Sequence, residues 1–209
     1  MPLLECFATR IYSAPLQGAG ATDLNRALLA ECLQLERDDP AGRRWSARNY
    51  PGGYTSYASA HRLHTLSPTF AALERKLARH VRAFAAAAEW NLEGRPLSMT
   101  DCWVNVMRGG AAHAAHLHPL STLSGTYYVA IPRGAPGIKF EDPRLERFMA
   151  APPLRADAAA RNRPWFTLEA QAGRVVLFES WLRHEVPPLS PGRGRGPERV
   201  SVSFNYNWF

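Results

Sequence analysis

Residues 113–128 read HAAHLHPLSTLSGTYY, and three of the chain's seven histidines fall within their first six positions. The stretch then becomes β-branched and aromatic. His116 and His118 are separated by one residue. In an extended strand the side chains at i and i+2 point to the same face. The pair therefore offers two imidazole nitrogens to one point in space, which is a metal-site geometry that needs a third ligand from elsewhere in the chain.

The third ligand is expected from GRVVLFESWLRHEVPP, residues 173–188. A turn glycine opens a buried strand, the chain bends through ESWL, and His184 stands where the strand has been left behind. Gly110 followed by five residues and then His116-Leu117-His118, and the interval from Gly173 to His184, resemble the metal-motif spacing of cupin-type jelly rolls. Glu179 and Trp181 stand where cupins place Pro and Gly. His61, His64 and His80 read as ordinary packed or solvent-facing residues. His113, three residues before His116, is expected to face away from it in a strand.

The rest of the chain fits that core. ATDLNRALLAECLQLERD (21–38) predicts a helix capped by Thr22 or Asp23, with Leu24, Leu28, Cys32 and Leu35 as its apolar stripe. Residues 40–66 read as loop. A second helix starts at Ser67 with Pro68 in its first position and carries Phe70, Leu73, Leu77, Val81 and Phe84 inward, to about Trp90. From about residue 98 the pattern becomes short β-branched and aromatic runs separated by Gly and Pro, the signature of a sandwich or barrel. The expected fold is α+β: a double-stranded β-helix, or jelly roll, with N-terminal helices packed on the sheet. It is read as one domain over 1–209, with helical support over about 1–97 and a β-core over about 98–209. Residues 144–164 interrupt that core as an insertion too long for a hairpin, and 190–199 as a basic flexible loop.

Composition bounds the function. Hydrophobic residues make up 46% of the 209, enough for a core. No apolar run reaches the length of a membrane span. Cys6, Cys32 and Cys102 are scattered, which argues against a disulfide framework and a zinc ribbon. With no secretory pattern at the N-terminus, the cytoplasm is the default compartment. The net charge of +7 is carried mostly by arginine, and no nucleic-acid-binding motif accompanies it, so it reads as solvated surface. Oligomeric state, a homodimer included, is left open.

Three histidines do not choose the metal. The strand ERVSVSFN does more, because Arg199 and Ser201 share a face and a buried guanidinium fork suits a carboxylate. A histidine triad followed by R-x-S resembles a 2-oxoglutarate-dependent Fe(II) oxygenase. RNYPGGYTSY, WVNV, HLHP with STLSGTYYV, IKFEDPR, GRVVLFESWLRHEVPP and RVSVSFNYN extend that resemblance from about residue 45 to the C-terminus, toward one family of bacterial and phage oxygenases. The resemblance implies Fe(II) at His116, His118 and His184, and 2-oxoglutarate at Arg199 and Ser201. It makes Tyr127, Asn105 and Asn205 further candidates for the co-substrate pocket. It implies O2 as the other co-substrate, conversion of 2-oxoglutarate to succinate and CO2, and hydroxylation of a C–H bond in a small molecule or peptide. The wider superfamily carries H-x-D where this chain has His116-x-His118. Either the centre has three histidines, or Asp142, Glu179 or Glu185 supplies the carboxylate. The alternatives are a cupin-type three-histidine dioxygenase without 2-oxoglutarate, which leaves Arg199 without an anion, and a non-catalytic metal-binding jelly roll. The 144–164 insertion and NYPGGYTSY are the expected substrate-facing elements.

Overall fold

The computed structural model describes residues 4–190 and 198–208. Most of the basic segment 190–199 therefore lies outside the described residues. Among the described residues, no helix is long and apolar enough to cross a membrane.

The chain opens with strand β1 (Ile11–Pro15) and helix α1 (Ala21–Asp38). Gly20, at φ 71°, stands at the N-cap of α1, so neither Thr22 nor Asp23 caps it; Asp23 lies in the first turn. Helix α2 (Pro40–Asn49) and strand β2 (Gly53–Thr55) follow, then the short helix α3 (Leu63–Leu66). These elements correct the loop reading of 40–66. Asp39 caps α2 by accepting from the Gly42 N–H at 2.8 Å, and Pro40 sits at its start. Only Gly42 and Ser46 of α2 are buried, so the helix has no apolar stripe to reveal it. The N-terminal support is likewise not purely helical, because β1 and β2 form the two edges of the larger sheet.

Helix α4 (Pro68–Ala87) begins as expected, with the Ser67 hydroxyl accepting from Thr69 N–H at 3.1 Å. Phe70, Leu73, Leu77, Val81 and Phe84 are all buried against the sheet. The β-region comprises β3 (Ser98–Met107), β4 (His113–His116), β5 (Leu123–Ala130) and β6 (Ile138–Glu141), then β7 (Trp165–Leu168), β8 (Arg174–Glu179), β9 (His184–Val186) and β10 (Arg199–Asn207). Residues 144–164 join β6 to β7 and hold two short 3-10 turns, Leu145–Phe148 and Ala160–Asn162.

Two antiparallel sheets result. One has the order β1-β8-β5-β10-β3-β2, the other β4-β9-β6-β7. This is the jelly roll. Alternation divides the larger sheet's side chains between two cores. Val104, Val106, Tyr127, Val175, Leu177, Val200 and Val202 face the helices. Tyr128, Val176 and Phe178 face the smaller sheet and meet Ile138 and Phe140. The cavity described next opens on that second face.

Candidate metal centre

His116 ends β4, His118 lies two residues past it, and His184 begins β9. The register sets His116 opposite His184. His118 is past the regular strand, and its N–H donates to Ser180 C=O at 3.0 Å, which holds the chain close to the β8–β9 bend. One potential ligand atom from each histidine lies within 4.8 Å of the others. Among the described residues these three form the one group of three or more His, Cys, Asp or Glu side chains so arranged.

The hydrogen bonds of the rings point to one tautomer. His116 Nδ1 donates to Ala114 C=O at 2.7 Å and His184 Nδ1 to Leu182 C=O at 2.9 Å. His118 Nδ1 donates to Asn205 Oδ1 at 2.7 Å, and Ser124 Oγ lies 2.8 Å from the same nitrogen. Ser124 Oγ also donates to Asn205 Oδ1 at 2.8 Å, and on the amide's far side Nδ2 lies 3.5 Å from Asp101 Oδ2. With each Nδ1 acting as donor, each Nε2 keeps its lone pair for a metal, and an acceptor behind the ring raises its basicity. Burial lowers the pKa of His118 to about 4 and that of His184 to about 3, so both rings are neutral, the ligating form, at ordinary pH. The donor set therefore fits a divalent transition metal.

The acids considered as ligands have other partners or positions. Asp142 is bound by Arg144 and Arg147, each at 2.9 Å, and Glu185 by Lys139 at 2.8 Å. Glu179 closes β8 outside the histidine group.

The same cavity is lined by Arg199, Ser201 and Asn105. Arg199 is 2% exposed. Its Nη1 meets Met107 Sδ at 3.2 Å, its guanidinium lies 5.2 Å from the Tyr128 ring, and its Nε has no partner among the described residues. Among the described residues no carboxylate pairs with it. A buried, unpaired guanidinium is costly, and its natural complement is an anion.

Three positions depart from the sequence reading. Tyr127 faces the helices, where its hydroxyl donates to Asn25 Oδ1 at 2.7 Å, and Tyr128 lines the cavity in its place. Asn205 stands behind His118 instead of lining the cavity. His113, expected to face away, lines it with the triad, turned there by a β-bulge in the pairing with β9 that no local sequence signal marks. A wider cleft adjoins, walled by Phe140, Leu182, residues 4–9 and Arg144, Arg147, Arg161 and Arg163. Phe140 also packs near His184, with ring centroids 6.0 Å apart, so the cleft and the triad share a wall.

Residues 101–205 match the family described as "Putative 2OG-Fe(II) oxygenase". No curated protein matches the chain. Among solved structures, the epimerase SnoN in complex with Fe3+, alpha ketoglutarate and nogalamycin RO is 18% identical at TM-score 0.60, over 95% of this chain and 79% of its own. A prolyl-4-hydroxylase from Pseudomonas putida is 18% identical at TM-score 0.55, over 96% and 94%. An oxidoreductase of the 2OG-Fe(II) oxygenase family from Burkholderia pseudomallei is 19% identical at TM-score 0.47, over 68% of this chain and 58% of its own.

Proposed function

This chain belongs to the 2OG-Fe(II) oxygenase family, and we propose on that premise that it hydroxylates a C–H bond of a polar or anionic small molecule or peptide. In this reading His116, His118 and His184 hold the iron, and Arg199 with Ser201 holds the distal carboxylate of 2-oxoglutarate. The observation that carries it is a buried guanidinium that, among the described residues, has no carboxylate partner, set in the same cavity as three histidines whose Nδ1 atoms are the ones engaged in hydrogen bonds.

Fe(II) with 2-oxoglutarate and O2 supplies the oxidising power when bound. The chain's residues do the rest. Asn205, Ser124 and two backbone carbonyls hold the imidazoles in one tautomer and one orientation. Arg199 provides a charge-assisted fork for a carboxylate, and the Ser201 hydroxyl stands two residues along on the same strand face. Phe178 and Trp103 wall the cavity with apolar surface, which limits water at the reacting carbon. The β6–β7 connection, with its arginines around the wider cleft, suits substrate recognition on a loop carried by a rigid scaffold. The neighbours' names include both an epimerase and a hydroxylase, so the fold does not choose the outcome. Hydroxylation is proposed as the simplest fate of a C–H bond at such a centre.

The test is reconstitution of the purified protein with Fe(II) under anaerobic conditions, followed by 2-oxoglutarate and O2. Succinate should form, and Arg199→Ala should weaken 2-oxoglutarate binding while iron content stays native. Breaking a buried charge pair costs about 2–5 kcal/mol, which is roughly thirty- to several-thousand-fold in affinity. Iron-loaded protein that neither binds 2-oxoglutarate nor forms succinate would end this reading.

A further inference from the structure

His113 has no part in the site as described so far, yet it lines the cavity with Arg199 and the triad. In a regular strand, residues three apart point to opposite faces. Here four residues of β4, from His113 to His116, stand opposite only three of β9, from Val186 to His184. That one extra residue is a bulge, and it turns His113 and His116 toward the same space.

The ring is held from behind. It stacks on Tyr50, with centroids 4.3 Å apart and 22° between the planes. Tyr50 in turn rests on Gly53, where a Cβ would lie 2.3 Å from the Tyr50 Cε1. The NYPGG turn is thus shaped to seat the tyrosine that supports the histidine. The three triad rings each bond an oxygen through Nδ1, whereas neither ring nitrogen of His113 bonds another protein group among the described residues.

Around this ring the polar groups are short of partners. Arg199 Nε and Tyr50 Oη are buried with no hydrogen-bond partner among the described residues, and Tyr128 Oη has only the Arg199 guanidinium beside it. Buried polar groups are normally satisfied, so a cluster of orphans marks where a ligand completes the protein.

We propose that His113 binds the co-substrate directly: a ring N–H donates to the distal carboxylate of 2-oxoglutarate beside Arg199, and Tyr50 is the positioning residue that fixes the ring. The proposal rests on the co-substrate reading of Arg199 given above. It gives the N-terminal segment, outside the stretch matched to the family, a part in co-substrate selection.

The test is anaerobic calorimetric titration of the Fe(II)-loaded protein with 2-oxoglutarate. His113→Phe keeps the stack on Tyr50 and removes the donor. It should keep native iron content and raise Kd by about tenfold or more, the scale of one hydrogen bond to a charged group. His113→Gln, which restores an N–H, should recover most of that loss. Gly53→Ala, which lies outside the cavity lining and displaces Tyr50, should raise Kd in the same direction with iron unchanged. If His113→Phe binds as tightly as native while Arg199→Ala does not, this inference falls and the co-substrate reading stands. It falls too if His113→Phe loses iron, or if His113→Gln is as weak as His113→Phe. Arg199→Ala with native affinity would remove both.

Discussion

Asn205→Ala isolates what the support behind a ligand contributes. Asn205 is 7% exposed and touches His118 only through the ring nitrogen opposite the metal side. Removing the amide leaves His118 Nδ1 with one neighbour, Ser124 Oγ at 2.8 Å, and that hydroxyl keeps Ser180 Oγ at 2.7 Å as a second partner. The ring can therefore stay in place but is less firmly held. Loss of an outer partner of a ligating histidine costs roughly ten- to a hundredfold in metal affinity. With Ser124 remaining, the expected loss is at the lower end, about tenfold or 1.4 kcal/mol. In Asn205→Ala/Ser124→Ala both partners are gone, and the loss should approach a hundredfold. The Nδ2 contact to Asp101, at 3.5 Å, is too long to add much to the balance. The assay is competition for Fe(II) or Co(II) against a chromogenic chelator, with fold checked by circular dichroism. A folded Asn205→Ala with native affinity, or a double variant no weaker than the single, would refute the argument.

Other expectations follow from the same geometry. Tyr128→Phe should weaken 2-oxoglutarate binding with little change in stability. Tyr127→Phe should do the reverse, losing about 1 kcal/mol for its bond to Asn25, as read by urea titration. Gly125→Ala should destabilise by about 3 kcal/mol or more, since a Cβ there would lie 2.5 Å from both Val176 O and Phe204 Cε2; an unchanged urea midpoint would show that the sheet can yield. The metal-free protein should lose stability as pH falls below about 6.5. The unfolded His184 takes up a proton near that pH, whereas the native ring, lowered to about 3 by burial, does not. Its contribution is complete above the unfolded pKa and is lost as the pH drops toward the native one. Between pH 7 and pH 5 that is on the order of 2 kcal/mol from this residue, measurable as a shifted urea midpoint.

What the sequence disclosed follows the strength of each local signal. The triad was legible because H-x-H needs only the strand's period, and because His184 follows a clear buried strand. Helices α1 and α4 were legible through their apolar stripes. Helix α2 was not, since its buried positions are a glycine and a serine. Strand β5 hid its facing for the opposite reason. It is buried along nearly its whole length, so no polar alternation tells Tyr127 from Tyr128, and a one-residue error exchanges the two cores. His113 was misread because a bulge depends on pairing with β9, which is a property of two strands and is absent from either alone.

The unequal sheets also divide the molecule into parts of different persistence. Arg199, Ser201 and Asn205 ride on β10, which lies in the larger sheet between β3, paired along nine residues, and β5, paired along seven. His116 and His184 ride on β4 and β9, strands of four and three residues. Opening β10 means breaking two long ladders at once, so its amides should exchange with solvent only through global unfolding, whereas the short pair can open by itself. Change in the smaller sheet and the β6–β7 connection is thus thermodynamically insulated from β10. A lineage could reshape the rim around the reacting carbon many times over while the deep strand, with its fixed guanidinium, passed from one variant to the next unaltered.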